Sequence, residues 1–314
     1  MVKEDKIVIV GAGHVGSHCA LALAGGEVCR EIVLVDIHRD KAAAQAADVA
    51  DALIFPRRSV AVRMGELEEC ADAAIVIIAV GQPHRIGQTR LDLLEDSVRM
   101  VHELVADLRA VGVEGIVITI TNPADIIADY VRRGLGMSRA QAFGTGTLLD
   151  TMRLVRLLCG ESGVSPDSIR AYVLGEHGDS AMIPFSAVRI AEANCDAYGI
   201  HRERLLQRTR AAGMEIMAGK HSTEFGIAQA CAVLCRAILR DEKRVLPLSA
   251  QLCGEYGQRD LHAGVPCLVG RGGIETIVEL PLAKDEAVLF DRSCEIIRRH
   301  RDRALEIASP GVRW

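Results

Sequence analysis

At 314 residues and 49% hydrophobic side chains, the chain is long enough for about two joined domains. A net charge of −5, with no basic cluster or tail, lacks the electrostatic footprint of a nucleic-acid binder. No apolar run reaches the roughly 18 residues a membrane helix needs, and the first one ends in a glycine loop too early for a signal peptide. Ten cysteines contain no C-x-x-C pair, so a reduced, cytoplasmic protein is expected.

The first half alternates buried strands with amphipathic helices. Strands are predicted over Lys6–Val10, Glu31–Asp36, Ala73–Val80 and Gly115–Ile120, and helices over His14–Ala24, Asp40–Leu53 and Leu93–Val111. Strand–helix–strand repetition predicts an α/β domain over residues 1–143, built on a doubly wound parallel sheet with right-handed crossovers. Beyond Phe143 the pattern changes. Long helices over Leu148–Cys159, Arg202–Met217, Phe225–Leu239 and Asp285–Ile307 are separated by shorter strands at Ala171–Gly175, Val245–Leu252, Pro266–Gly270 and Gly273–Leu280. The turn at Gly272–Gly273 marks an antiparallel hairpin, and residues 144–314 read as an α+β domain. No repeat or Pro/Gly/Ser-rich linker intervenes, so the halves are expected to share a tight interface.

The segment IVIVGAGHVGSHCA carries Gly11, Gly13 and Gly16 as G-x-G-x-x-G, with Val15 inside it, directly after a strand and opening a helix. Gly11 permits the tight turn, Gly13 lets backbone approach a pyrophosphate, and Gly16 lets the helix pack against the strand. Asp36 ends the next strand about 20 residues on, where a carboxylate bonds ribose hydroxyls and repels a 2′-phosphate, which favours NAD over NADP. His14 and His18 read as a solvated helix face, and Cys231 and Cys235, one turn apart, as a buried pair of small apolar residues. No metal is expected.

Four further segments hold polar groups that a fold alone does not require. TITNPADI ends a strand at Asn122–Pro123, and GTGTLLDTMR places Asp150 and Arg153 three apart on one helix face. VLGEHGDS sets His177 between Glu176 and Gly178, and the loop AVGQPHRIGQTRLDLL adds His84, Arg85 and Arg90. Singly they pass as a surface ion pair or a turn histidine. Together they form a kit for hydride transfer involving a 2-hydroxy acid.

The motifs GAGHVGS, LVD, GQTR, TNPAD, GTGTLLDTMR, GEHGDS and GVPCLVGRGGIE follow one another along nearly the whole chain. In that order and spacing the sequence resembles the L-lactate/L-malate dehydrogenase family. The resemblance implies a Rossmann NAD-binding domain followed by an α+β catalytic domain, a small 2-hydroxy/2-oxo acid substrate, and a homo-oligomer with a tetramer favoured. It implies His177 as the general acid and base, with Asp150 fixing the tautomer of its ring. Arg153 would clamp the substrate carboxylate, Arg90 would polarise the carbonyl as alkoxide charge develops, and Asn122 would lie near the nicotinamide and the reacting oxygen.

Gly81 and Gly87 flank a segment that the family uses as a closing lid. Six residues before Arg90, at the position that senses the substrate's C3 substituent, lactate enzymes typically carry Gln and malate enzymes Arg; here it is His84. Glu176, Thr223 and the TRLDLL lid resemble the lactate branch, which is therefore expected. The alternatives are the malate branch, with Arg85 pairing a second carboxylate, or an enzyme for larger 2-oxo acids. A non-enzymatic NAD sensor would be expected to lack at least one of Arg90, Asp150, Arg153 and His177, yet all four are present. Positions that bind fructose 1,6-bisphosphate in some relatives hold Val155 and Arg170, only half of the expected basic pair.

Overall fold

The computed structural model describes residues 3–81 and 90–308. The order is β1 (Lys3–Val10), α1 (His14–Gly25), β2 (Glu31–Val35), α2 (Arg39–Leu53), β3 (Ala61–Met64), β4 (Ala73–Ile78), α3 (Arg90–Val111), β5 (Ile116–Thr119), α4 (Ala124–Leu135) and β6 (Ala142–Gly144). There follow α5 (Leu148–Ser162), β7 (Ile169–Arg170), β8 (Arg189–Ile190), α6 (Arg202–Lys220), α7 (Phe225–Leu239), β9 (Arg244–Cys253), β10 (Arg259–Gly270), β11 (Gly273–Ile277) and α8 (Lys284–Ala308).

One nine-stranded sheet runs β11-β10-β9-β6-β5-β4-β1-β2-β3. Its β6-β5-β4-β1-β2-β3 part is parallel throughout, and the order reverses between β1 and β4. Such a switch point opens a crevice at the carboxyl ends of the strands, where ligands bind in doubly wound sheets. Ile7, Val8, Ile9, Ile32, Val33, Ile75 and Ile77 are fully buried, because helices cover both faces of the sheet and leave no polar side for alternation. Lys6 is also buried in β1, its charge met by Glu69 at 3.0 Å and by Asp72. A second, smaller core of Leu154, Leu158, Val173, Val188, Cys195 and Leu205 lies under α5 and α6. Cys231 and Cys235 are both fully buried on α7. Among the described residues no helix is long and apolar enough to cross a membrane.

The antiparallel meander β9–β10–β11 joins the same sheet at β6 through the pair Gly144↔Ser249, while β7 and β8 pair with each other apart from it. Ala171–Gly175, expected as a strand, is not one. Only Leu174 and Gly175 make isolated bridges, to Met182 and Gly264. The reason is local: the Val173 carbonyl accepts from Thr147 Oγ at 2.6 Å and its N–H donates to Thr151 Oγ at 2.9 Å, so side chains around the start of α5 take the bonds a ladder would use. The sequence patterns do not predict α4. It starts after Pro123 at its N-cap and ends at Gly136, whose φ of +66° suits glycine.

Candidate active site

At the switch point, Gly11 has φ +106°, and a Cβ there would lie 2.7 Å from the Ala79 carbonyl. A Cβ on Gly16 would stand 1.8 Å from the Gly11 oxygen, so α1 reaches the loop only because no side chain intervenes. Gly13 caps α1 without a side-chain hydrogen bond, and the nearest group to a Cβ there is Lys41 Nζ at 3.9 Å. The first N–H groups of α1 are thus open to an anion, with Val15 half-buried in that turn. Asp36 follows β2 and accepts from Ala12 N at 2.8 Å and His38 N at 2.9 Å, which holds its carboxylate beside the glycine turn. Lone pairs remain on both oxygens for a ribose diol. The cradle fits a dinucleotide.

The second half of the site centres on Asp150, in the first turn of α5 and nearly buried. Its Oδ2 accepts from His177 Nδ1 at 2.6 Å and its Oδ1 from Arg153 Nη1 at 3.0 Å. Spacing of three on α5 brings Arg153 to the same carboxylate. The Asp150 charge, opposed by burial and reinforced by the hydrogen bond, raises the His177 pKa to about 9. Burial works against ionised Asp150, but the His177 charge and hydrogen bond together with Arg153 outweigh it and hold its pKa below the ordinary carboxylate value. Because the carboxylate engages Nδ1, Nε2 is the ring nitrogen it leaves for another partner, and the His177 side chain keeps 24% exposure.

The loop carrying His177 is braced from three sides. Gly175 pairs with Gly264 on β10 in both directions, at 2.9 and 2.7 Å. From α8, Ser293 Oγ accepts from Glu176 N at 2.8 Å and meets Ser180 Oγ at 2.9 Å. From α4, Asp125 Oδ2 accepts from the His177 backbone N at 2.8 Å, while its Oδ1 accepts from Ser249 Oγ at 2.6 Å. Sequence reasoning gave Asp125 no role. The available signal was an acid in the first turn of an otherwise apolar helix start, directly after TNP.

Asn122 is exposed just past β5, followed by a cis bond to Pro123. Its neighbour Thr121 donates to the Val80 carbonyl at 2.6 Å and ties the ends of β5 and β4 together. Thr223 is half-buried in the link between α6 and α7. His84, Arg85 and Gly87 lie outside the described residues, and Arg90 is described only as the first residue of α3.

The family model for the lactate/malate dehydrogenase NAD-binding domain matches residues 5–144, and that for the lactate/malate dehydrogenase alpha/beta C-terminal domain matches residues 147–307. The chain is 37% identical over 308 residues to L-lactate dehydrogenase 1 of Bifidobacterium longum, covering 95% of this chain and 98% of that one. It is 38% identical over 310 residues to L-lactate dehydrogenase of Fusobacterium nucleatum, covering 96% and 97%. The structure resembles the ligand-bound minor L-lactate dehydrogenase of Enterococcus mundtii with a TM-score of 0.92 and 34% identity, over 96% of this chain and 99% of the other.

Proposed function

Because the chain belongs to the lactate/malate dehydrogenase family, we propose that it interconverts L-lactate and pyruvate at the His177–Asp150–Arg153 centre. It is an NAD-dependent 2-hydroxyacid dehydrogenase. The observation that carries the proposal is the single buried carboxylate of Asp150 bonded at once to His177 and to Arg153.

The Gly11–Gly16 turn and Asp36 would hold NADH, which would supply the hydride. His177, kept protonated by Asp150, donates its Nε2 proton to the carbonyl oxygen of the 2-oxo acid, and takes a proton back when the hydroxy acid is oxidised. Arg153 spends one N–H on Asp150 and retains donors for the substrate carboxylate. Gly213 on α6 gives that guanidinium its room, since a Cβ there would come within 3.2 Å of Nη1. Arg90 polarises the carbonyl, and Asn122 and Thr223 border the substrate.

His84 at the specificity position keeps a dicarboxylate or a larger 2-oxo acid as the second reading. Protonation of His84 favours a second carboxylate, so the oxaloacetate to pyruvate ratio of kcat/KM should rise as pH falls from about 8 to 5.5. A ratio that stays flat excludes His84 as the discriminator. Steady-state reduction by NADH of pyruvate, oxaloacetate and 2-oxoisocaproate tests the main reading. Pyruvate is expected to give the highest kcat/KM near neutral pH, and a preference for either of the others overturns it.

We further read the protein as a cytoplasmic homo-oligomer, with a tetramer favoured, acting where sugar breakdown and fermentation require NADH to be reoxidised. Ten free thiols support the reducing compartment. Phe55 at 95% exposure and Ile54 at 67%, adjacent after α2, support a subunit contact.

A further inference from the structure

His177 is held by two carboxylates from two different helices, and only one of them touches its ring. Asp150 on α5 takes Nδ1. Asp125 on α4 is 3% exposed and takes the main-chain N–H of the same residue, with its other oxygen on Ser249. Ser249 is fully buried on β9 and pairs with Gly144 at the one register position where the antiparallel meander meets β6. Asp125 thus connects the proton-donating loop to the seam of the sheet.

We propose that Asp125 is a positioning residue for hydride transfer, anchoring the His177 backbone to Ser249 and adding a second negative charge behind the imidazole. The proposal rests on the reading of His177 as the proton donor. Among the described residues no cation bonds the Asp125 carboxylate; its hydrogen-bond partners there are two neutral donors. The titratable groups facing it are His177 and Glu176 from the loop and Cys294 from α8, with the Ser249 hydroxyl from β9. Burial accordingly lifts its pKa to about 6, against the hydrogen bonds of Ser249 and of the His177 N–H. Asp125 in turn adds to the elevation of the His177 pKa, after the larger contribution of Asp150 and against Arg153. A residue that only filled space here would be apolar. Burying a carboxylate without a bonded cation is costly unless it orders something, and what it orders is the peptide of the proton donor.

Two substitutions separate the bond from the charge. In Asp125→Asn the amide oxygen still accepts from the His177 N–H, while the amide nitrogen donates to Ser249 Oγ, which accepts as readily as it donates. In Asp125→Ala the buried N–H has no acceptor. We expect Asp125→Ala to lose about tenfold or more in kcat with pyruvate while KM for pyruvate and Kd for NADH stay within about threefold, because the proton donor is displaced and the binding groups are not. Asp125→Asn should restore most of that loss. Its His177 midpoint, followed by imidazole NMR in the full chain, should fall by about half a pH unit or more with the second charge gone.

An Asp125→Ala enzyme with parental kcat overturns the proposal, as does an Asp125→Asn protein whose His177 midpoint is unmoved. If Asp125→Ala fails to fold, the NMR midpoint of Asp125→Asn decides alone. A parent protein that turns over no 2-oxo acid refutes the functional reading instead, and the NMR titration still tests Asp125.

Discussion

Replacing Asp150 with Asn removes the charge that dominates the His177 proton affinity while keeping shape and one acceptor oxygen. In the parent that charge takes the ring from 6.5 to about 9. At 1.36 kcal/mol per pKa unit, the difference amounts to about 3 kcal/mol in favour of the protonated imidazole. In the variant, burial and Arg153 both favour the neutral ring, opposed only by the weaker field of Asp125, so the midpoint should fall to about 6.5 or below. Reduction of the 2-oxo acid needs the protonated ring. The parent should therefore hold kcat/KM steady until pH nears 9 and lose it above, while oxidation of the hydroxy acid rises through the same pH. At about pH 7.5 the protonated fraction drops from nearly all to about a tenth, a tenfold loss before any cost of a wrong tautomer is added. NADH absorbance at 340 nm over about pH 5.5 to 10 reads both limbs. The same group acts on stability: its stabilising contribution is complete below about 6.5 and is lost as pH rises through about 9, so unfolding free energy from denaturant melts should decline across that window in the parent and not in the variant. If the reduction limb of Asp150→Asn stays near 9, Asp150 does not set the proton affinity.

Gly16→Ala would set a Cβ 1.8 Å from the Gly11 oxygen and push α1 off the turn; NADH affinity by fluorescence titration should fall at least about tenfold, and parental affinity would refute the role of that contact. Asp129 on α4 bonds the fully buried His262 at 3.0 Å and Arg133 at 2.8 Å. Asp129→Ala leaves the buried His262 Nδ1 without its acceptor, while Arg133 keeps solvent and the Asp260 carbonyl, and should cost about 1–3 kcal/mol in urea unfolding, away from the reacting groups; a loss below about 0.5 kcal/mol would show the contact to be dispensable.

Much of the cofactor half was legible because its signals are local. Gly11, Gly13, Gly16 and Asp36 lie within one strand–helix–strand unit, where spacing alone determines position. Asp150 and Arg153 were legible for the same reason, being one helical turn apart, whereas His177 was linked to them only by resemblance. Asp125 was opaque: its partners are 52 residues away at His177 and 124 away at Ser249, and no local pattern encodes such contacts. The segment Ala171–Gly175 misled through its composition. It is apolar enough for a strand, yet its ladder groups are claimed by Thr147 and Thr151. The strand β3 escaped notice because it is four residues long, includes Arg63, and is nowhere fully buried.

The seam at Gly144 and Ser249 bears on the stereochemistry of the product. The turn that receives the cofactor leaves the end of β1, and the proton donor is tethered through Asp125 to β9, in the same hydrogen-bonded sheet. The glycine turn and the His177 loop are therefore tied to one sheet, and NADH bound at that turn would meet a proton donor already placed. On the proposed reading, these two positions and a carboxylate held by Arg153 on α5 would together select the carbonyl face that is attacked, and so the handedness of the alcohol.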